Sequence, residues 1–131
     1  MANNLSDYLE DEILDHILGT GSWTMPTSVK IGLFTTDPGE ASGGAEVNDS
    51  GGSYARQTVA FDPSSGGVTQ NAAEIAFPVA TNAYDAPVAY VVLFNAATEN
   101  RLWHGALTTP KTIGVGDQFK IADGDLDVSI D

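Results

Sequence analysis

Three aspartates near the end of the sequence, Asp123, Asp125 and Asp127, have the spacing of a candidate metal site. Carboxylates at alternate positions begin a calcium-binding loop, because Ca²⁺ prefers several oxygen ligands. The match stops there, since no glutamate follows at the position that would supply a bidentate ligand. The same spacing fits a turn followed by a strand with an acidic solvent face. We favour this simpler interpretation and keep the three aspartates as a weak metal candidate.

The other residues with catalytic potential are His16 and His104, the only histidines of the chain. Each lies among apolar neighbours, a setting more typical of packing than of metal binding or general base catalysis. Neither a Gly-x-Ser-x-Gly elbow nor a glycine-rich phosphate loop with a following lysine occurs. We therefore predict that the protein is not an enzyme and that it has no catalytic residues, no cofactor-binding residues and no cofactor.

The charge of the chain excludes other classes of partner. With 18 acidic and 5 basic residues the formal net charge is -13, which disfavours binding to nucleic acid and to anionic membranes. No apolar run approaches the roughly 20 residues that span a bilayer, and the N-terminus lacks the pattern of an export signal. Cysteine is absent, so disulfides and thiol chemistry are excluded. We expect a soluble protein with a single domain, residues 1–131.

One helix is predicted, over residues 4–18 of an N-terminal arm that covers residues 1–19. Its apolar residues recur every four positions at Leu5, Leu9, Ile13 and Ile17, and Leu14 and Leu18 widen this stripe. Asn3, Asn4 or Ser6 can cap its start, and Gly19 can end it. The apolar stripe must pack either on the domain's own sheet or on a partner. If it faces outward, Leu5, Leu9, Ile13 and the nearby Trp23 are the candidate partner contacts.

Residues 27–131 are predicted to form the β domain. Short alternating segments separated by turn residues indicate an antiparallel sandwich or barrel of about seven to eight strands, with the one N-terminal helix added. Residues 88–95 are apolar on both faces and are predicted as the central strand, paired in a hairpin with residues 101–107. Residues 38–53 contain little but small and polar side chains and are predicted as a long exposed loop. The strands are expected at residues 29–34, 54–61, 73–79, 88–95, 101–107, 112–115 and 118–121, and from Leu126 onward.

The chain resembles a family of small virion proteins of tailed bacteriophages, whose members carry names such as tail fibre protein and which include capsid cement proteins. The resemblance runs in matching order through nearly the whole sequence. It is carried by Pro26 and by LDHILG at 14–19, IGLFTTDP at 31–38, YAR at 54–56, IAFP at 75–78, LFNAAT at 93–98 and GALTTPK at 105–111.

This resemblance implies a structural role in the virion. The sequence has neither heptads nor collagen-like repeats that would form a fibre shaft, so we expect a capsid cement or decoration protein. Its expected partner is the major capsid protein, whose mature lattice it would stabilise from the outer surface by binding only that state. The resemblance also implies synthesis in the host cytoplasm and a homo-oligomer, with a trimer suspected. The alternative is a tail fibre or tail-associated adaptor, in which exposed Trp23 or Trp103 would contact a receptor or glycan.

Overall fold

Nine short antiparallel strands and one helix make up the part of the chain that the computed structural model describes, residues 4–130. The predicted fold class, mainly β with one N-terminal helix, is therefore confirmed. In chain order the elements are β1 (Asn4–Leu5), α1 (Asp7–Leu18), β2 (Val29–Phe34), β3 (Gln57–Val59), β4 (Val68–Gln70), β5 (Ile75–Ala76), β6 (Val88–Asn95), β7 (Arg101–Lys111), β8 (Lys120–Ile121) and β9 (Asp127–Ser129).

A five-stranded sheet with the order β1-β7-β6-β2-β3 forms the main layer. The predicted central strand occupies the middle position as β6, and its residues from Val91 to Asn95 are all buried. This burial explains its apolar composition, since a strand covered on both faces has no solvent-exposed face on which polar residues would lie. The predicted hairpin is also present, with β6 and β7 antiparallel and Leu93 opposite Trp103.

The main core lies between one face of this sheet and two two-stranded ribbons, β4 with β9 and β5 with β8. Side chains such as Ile31 and Leu93 from the sheet belong to the same buried cluster as Ile75, Ile121 and Val128 from the ribbons. Since neither ribbon could bury an apolar face alone, this common core holds the two layers together.

The helix begins later than predicted. Asn4 and Leu5 pair with His104 and Trp103 as an edge strand, so α1 starts at Asp7. Ser6, one of the three predicted caps, accepts a hydrogen bond from the backbone N–H of Leu9. Gly19 ends the helix as predicted, in the left-handed conformation at φ 78°, which glycine adopts without a steric penalty. Among the described residues, no helix is long and apolar enough to cross a membrane.

Several predicted strands have different bounds. Those expected at 54–61, 73–79 and 118–121 are shorter, and residues 112–115 form no strand. β7 instead runs on to Lys111, passing Pro110 at a register shift between β6 and β7, where a missing N–H costs no ladder hydrogen bond. β4 was not predicted, because its three residues include one apolar side chain and so show no alternation of apolar and polar residues. The strand forms by pairing with β9.

Residues 38–53 contribute more to the core than their composition indicated. The segment folds back along β2, where Phe34 and Glu46 form a bridge and the backbone N–H of Val47 donates to the carbonyl of Leu33 at 2.9 Å. Val47 and Asp49 are buried, whereas residues 40–45 are exposed. The prediction of an exposed loop is therefore wrong at Val47 and Asp49. These two buried residues are enough to hold an otherwise polar segment in place.

Candidate partner-binding surface

The aspartates of the metal candidate lie on an exposed turn and on the solvent side of β9. Asp123, Asp125 and Asp127 are all exposed, and within residues 4–130 no group of three or more His, Asp or Glu is placed to hold a metal ion. The turn is organised instead by Asn71, a fully buried side chain. Its amide donates to the carbonyl of Ala122 at 2.9 Å and its oxygen accepts from the N–H of Leu126 at 2.9 Å.

The two histidines lie in different settings. Nδ1 of His16 accepts a hydrogen bond of 3.2 Å from the backbone N–H of Trp23, which ties the segment after α1 back to the helix. His104 is buried on β7 opposite Val92, and its Nε2 has no hydrogen-bond partner among the described residues. Within residues 4–130 no carboxylate forms a hydrogen bond with either ring, so neither histidine has a catalytic partner there.

The second face of the main sheet carries a cluster of ionic and aromatic residues that the sequence did not indicate. The guanidinium of Arg56 lies 3.6 Å from the centre of the Phe94 ring and donates two hydrogen bonds of 2.9 Å to the carboxylate of Glu46. Arg56 also pairs with Glu99. The hydroxyl of Tyr54 donates to Glu46 at 2.8 Å and accepts from the N–H of Leu33. Each charged group is therefore satisfied within the cluster.

These contacts shift the ionisation of the cluster. Partial burial would by itself raise the pKa of Glu46, but hydrogen bonds from Arg56 and Tyr54 outweigh it, so the pKa lies below its ordinary value. Burial raises the pKa of Tyr54 far above that of a free tyrosine. The hydrogen bond to Glu46 raises the pKa of Arg56. Glu46 therefore stays ionised and Tyr54 neutral near neutral pH, which suits a structural clamp and not proton transfer.

Arg101 makes a second clamp beside the first. Its guanidinium lies 5.0 Å from the centre of the Phe34 ring and donates to the carbonyls of Pro38 and Gly43 at 3.1 and 2.7 Å. Together Arg56 and Arg101 fix residues 38–46 across the sheet. Both guanidinium groups lie over aromatic rings, and Arg56 holds Glu46 through two of its nitrogens, a forked contact that a lysine could not reproduce. The cluster therefore acts as a second small core and offers no free group for a ligand.

The predicted contact residues turn inward. Leu9 is 0% exposed and belongs to the main core, which contradicts its role as an outward anchor. Leu5, Ile13 and Trp23 are half-buried and pack against the same core. Leu5, Leu9 and Ile13 were identified correctly as a packing face, but the domain's own sheet is their partner, because β7 lies beside α1 and supplies an apolar surface. Ile17, the fourth member of the predicted stripe, is exposed.

The last apolar side chains of α1, including Ile17 of the predicted stripe, face outward. Leu14, Ile17 and Leu18 are 55%, 71% and 70% exposed. Residues spaced by three and four positions are neighbours on a helix surface, so these three form one patch, named here the helix-end patch. The exposed acids Glu10 and Asp11 precede it on α1. The sequence contained this signal, since Leu14 and Leu18 lie beside the every-fourth stripe, but periodicity does not reveal which edge of a broad stripe is covered.

A shallow groove of about 300 Å³ lies beside the first half of α1. Tyr8 and Glu12 of the helix line one part, and Trp23, Met25 and Asn95 line the rest. Met25 is 75% exposed, so the groove has an open apolar rim. Trp23, which was predicted as a contact, therefore both packs on the core and lines this open groove.

Comparison with known proteins assigns the chain to a family. No curated protein matches the chain. A family model described as "Podophage GP4 fiber I protein gp80" matches residues 4–129, which includes every described element of the fold. Because this match spans nearly the whole sequence, the chain belongs to that family of bacteriophage virion proteins.

Proposed function

We propose that the protein is a compact structural subunit of a virion fibre assembly and that it attaches to another virion protein through the helix-end patch. Membership of the family already makes it a structural component of a phage virion and confirms the expected resemblance. The proposal adds the fibre position and the surface of attachment.

The observation that carries the proposal is the division of α1 into two parts. The first half is fixed by the Ser6 cap and by Leu9 in the core, whereas the second half presents Leu14, Ile17 and Leu18 to solvent. Exposing three large apolar side chains side by side is unfavourable for an isolated protein, at about 25 cal/mol per Å² of apolar surface. Such a patch is typical of a protein contact.

The charge beside the patch defines the chemistry of the partner. Exposed Glu10 and Asp11 precede the patch, and the last turn of α1 contains His16 but no lysine or arginine. A complementary surface therefore combines an apolar recess with basic groups along one side. A second copy of this acidic chain supplies such basic groups poorly, so the partner we propose is a different virion protein.

The fibre position rests on the family to which the chain belongs, which is described as a family of fibre proteins. The chain has no repeat that would build a shaft, and its described helix has only 12 residues. A protein of this kind therefore suits the base or side of an appendage, where a compact domain joins larger components.

Capsid decoration is the second candidate, and the same lack of a shaft favours it. A cement protein needs only a compact domain with a gripping surface, which the β domain and the helix-end patch provide. In this case the partner is the major capsid protein, the position is the outer surface of the capsid, and a trimer is the proposed oligomer.

Incorporation into virions tests the attachment surface. In phage particles produced with the variant Leu14→Ser/Ile17→Ser/Leu18→Ser, we expect the protein to be lost from purified virions, as measured by immunoblot, while the isolated variant keeps its unfolding midpoint. The matched control is Val115→Ser, because Val115 is 71% exposed, as is Ile17, but lies outside α1. Normal incorporation of the triple variant would contradict the proposed surface.

Labelling of intact particles separates the two positions. Gold-labelled antibody is expected at the tail for a fibre component and over the capsid for a decoration protein. Copy number gives an independent answer, since a decoration protein is expected in hundreds of copies and a tail component in a handful. Deletion of residues 1–18 is not a useful test, because it would remove Leu9 from the core.

A further inference from the structure

The groove beside the first half of α1 has aromatic walls. Tyr8 of the helix and Trp23 of the segment that follows it line the groove, and both residues are half-buried. Met25 lies at the rim, and its unbranched side chain can adapt to the shape of a guest. At about 300 Å³ the groove is at the lower end of the volumes of ligand pockets, about 300–1,000 Å³, which suits a single side chain.

The groove carries one charge, and that charge is negative. Glu12 is the only charged residue that lines it. Glu12 is half-buried, and because Arg56 makes both ion pairs found within residues 4–130, no cation of the described chain neutralises it. Asp15, three residues later on the same side of α1, adds a second negative charge close by. The groove therefore favours a cationic guest.

A larger cleft elsewhere in the described chain shows no such preference. It has a volume of about 550 Å³ and lies beside residues 107–109 of β7. The charged residues that line it are two lysines and two aspartates, Lys111, Lys120, Asp117 and Asp125. Because these charges balance, the cleft selects no class of partner, and the smaller groove is the more specific site.

The walls of the groove are held in place. The backbone N–H of Trp23 donates to Nδ1 of His16 at 3.2 Å, and both Tyr8 and Trp23 pack against the main core. Asn95, which lines another part of the groove, is buried, and its Oδ1 accepts from the N–H of Ala97 at 3.0 Å. Little free energy is therefore lost in ordering the groove when a guest binds.

We propose that this groove binds an arginine side chain of another protein. The guanidinium contacts the aromatic rings of Tyr8 and Trp23, donates a forked pair of hydrogen bonds to Glu12, and lays its apolar stem along Met25. A guanidinium is planar and more weakly hydrated than the ammonium of lysine, so it suits a narrow aromatic groove with one carboxylate.

The same chemistry occurs within the fold itself. The guanidinium of Arg56 lies 3.6 Å from the centre of the Phe94 ring and donates two hydrogen bonds to Glu46. The groove offers the aromatic and acidic parts of this arrangement without the arginine.

This site is separate from the helix-end patch. An α-helix turns about 100° per residue, so Leu14 lies on the opposite side of α1 from Glu12. No residue of the helix-end patch lines the groove. The groove is therefore independent of the proposed attachment surface, and either proposal can fail while the other holds.

The indole N–H signals in the NMR spectrum of the full chain test the proposal. The chain has two tryptophans, and Nε1–H of Trp103 already donates to the carbonyl of Ser129 at 3.1 Å, so its signal is the internal reference. The probe is the peptide acetyl-Gly-Arg-Gly-amide, and the control has citrulline, which is neutral and of similar shape, in place of arginine. We expect a saturable shift of the Trp23 signal with the arginine peptide, binding at least about threefold weaker with a lysine peptide, and no shift with the citrulline peptide.

Protein variants locate the binding site. Glu12→Gln is expected to weaken binding of the arginine peptide at least about fivefold, because hydrogen bonds between charged groups are stronger than neutral ones. Glu10→Gln is the matched control, since it removes the same charge from α1 at an exposed residue that does not line the groove, and it should bind as the unmodified protein does. Absence of a saturable Trp23 shift, equal binding of the lysine or citrulline peptide, an unaffected Glu12→Gln, or equal weakening by Glu10→Gln would each overturn the proposal.

Discussion

Truncation of Leu9 tests the division of α1 into an anchored half and a free half. Leu9 is fully buried in the main core and follows the Ser6 cap, so Leu9→Ala removes apolar contacts that the surrounding sheet cannot replace. Leucine-to-alanine changes at such sites cost about 2–5 kcal/mol. A value of about 3 kcal/mol, with a denaturant slope of about 2 kcal/mol per M, lowers the urea midpoint by about 1.5 M.

The matched variant is Ile17→Ala on the same helix. Ile17 is 71% exposed, and we expect its truncation to change the free energy of unfolding by less than about 0.5 kcal/mol. Both values are measured by urea unfolding followed by circular dichroism. If Leu9→Ala proved as neutral as Ile17→Ala, the first half of α1 would not be part of the core. The reasoning that leaves the helix-end patch free for a partner would then be refuted.

Three further predictions concern the buried polar network and the second face of the sheet. Because the pKa of Glu46 is lowered in the folded state, its carboxylate stabilises the fold above the pKa of the unfolded chain, and this contribution is lost as pH falls through the folded value. Glu46→Gln should therefore be less stable than the parent at about pH 7 and equally stable at about pH 2, as measured by thermal unfolding; an equal deficit at both would contradict the Arg56 clamp. Asn71→Ala leaves the N–H of Leu126 without its partner and should cost about 2–4 kcal/mol, with no recovery on adding calcium; recovery would instead identify an ion at this turn. Gly32→Ala places a Cβ 2.9 Å from Oε1 of Glu46 and 3.1 Å from the Phe94 ring, and should cost about 1–3 kcal/mol, whereas a neutral result would show that the clamp can shift.

Most of what could be predicted about the fold followed from the regular spacing of apolar residues. β6 was recognisable as the central strand because a strand that is buried on both faces has apolar side chains on both sides. The α1 stripe was recognisable for a similar reason, and Gly19 marked its end. β4 was missed and the strand containing β5 was predicted too long, because two or three residues show no periodicity and pair only when a distant strand lies beside them.

The candidate surfaces were less predictable than the fold. The stripe containing Leu9 was identified, but the side of α1 that stays exposed depends on where β7 lies. The clamp formed by Arg56, Glu46 and Phe94 joins residues up to 48 positions apart, which no local pattern brings together. The cleft beside Lys111 lies where residues 107–110 of β7 bulge out of register with β6, which no local pattern indicates.

By itself the sequence determined the class of fold, the acidic character and the family, since composition, alternation and local motifs are properties of the chain alone. Only the tertiary structure decided that Leu9 is core while Ile17 is free, that Asn71 organises the acidic turn, and that Lys111 and Lys120 line one cleft. The physical reason is that burial and pairing are relations between distant segments. An apolar side chain can be buried favourably, but whether it is buried depends on whether a sheet packs against it.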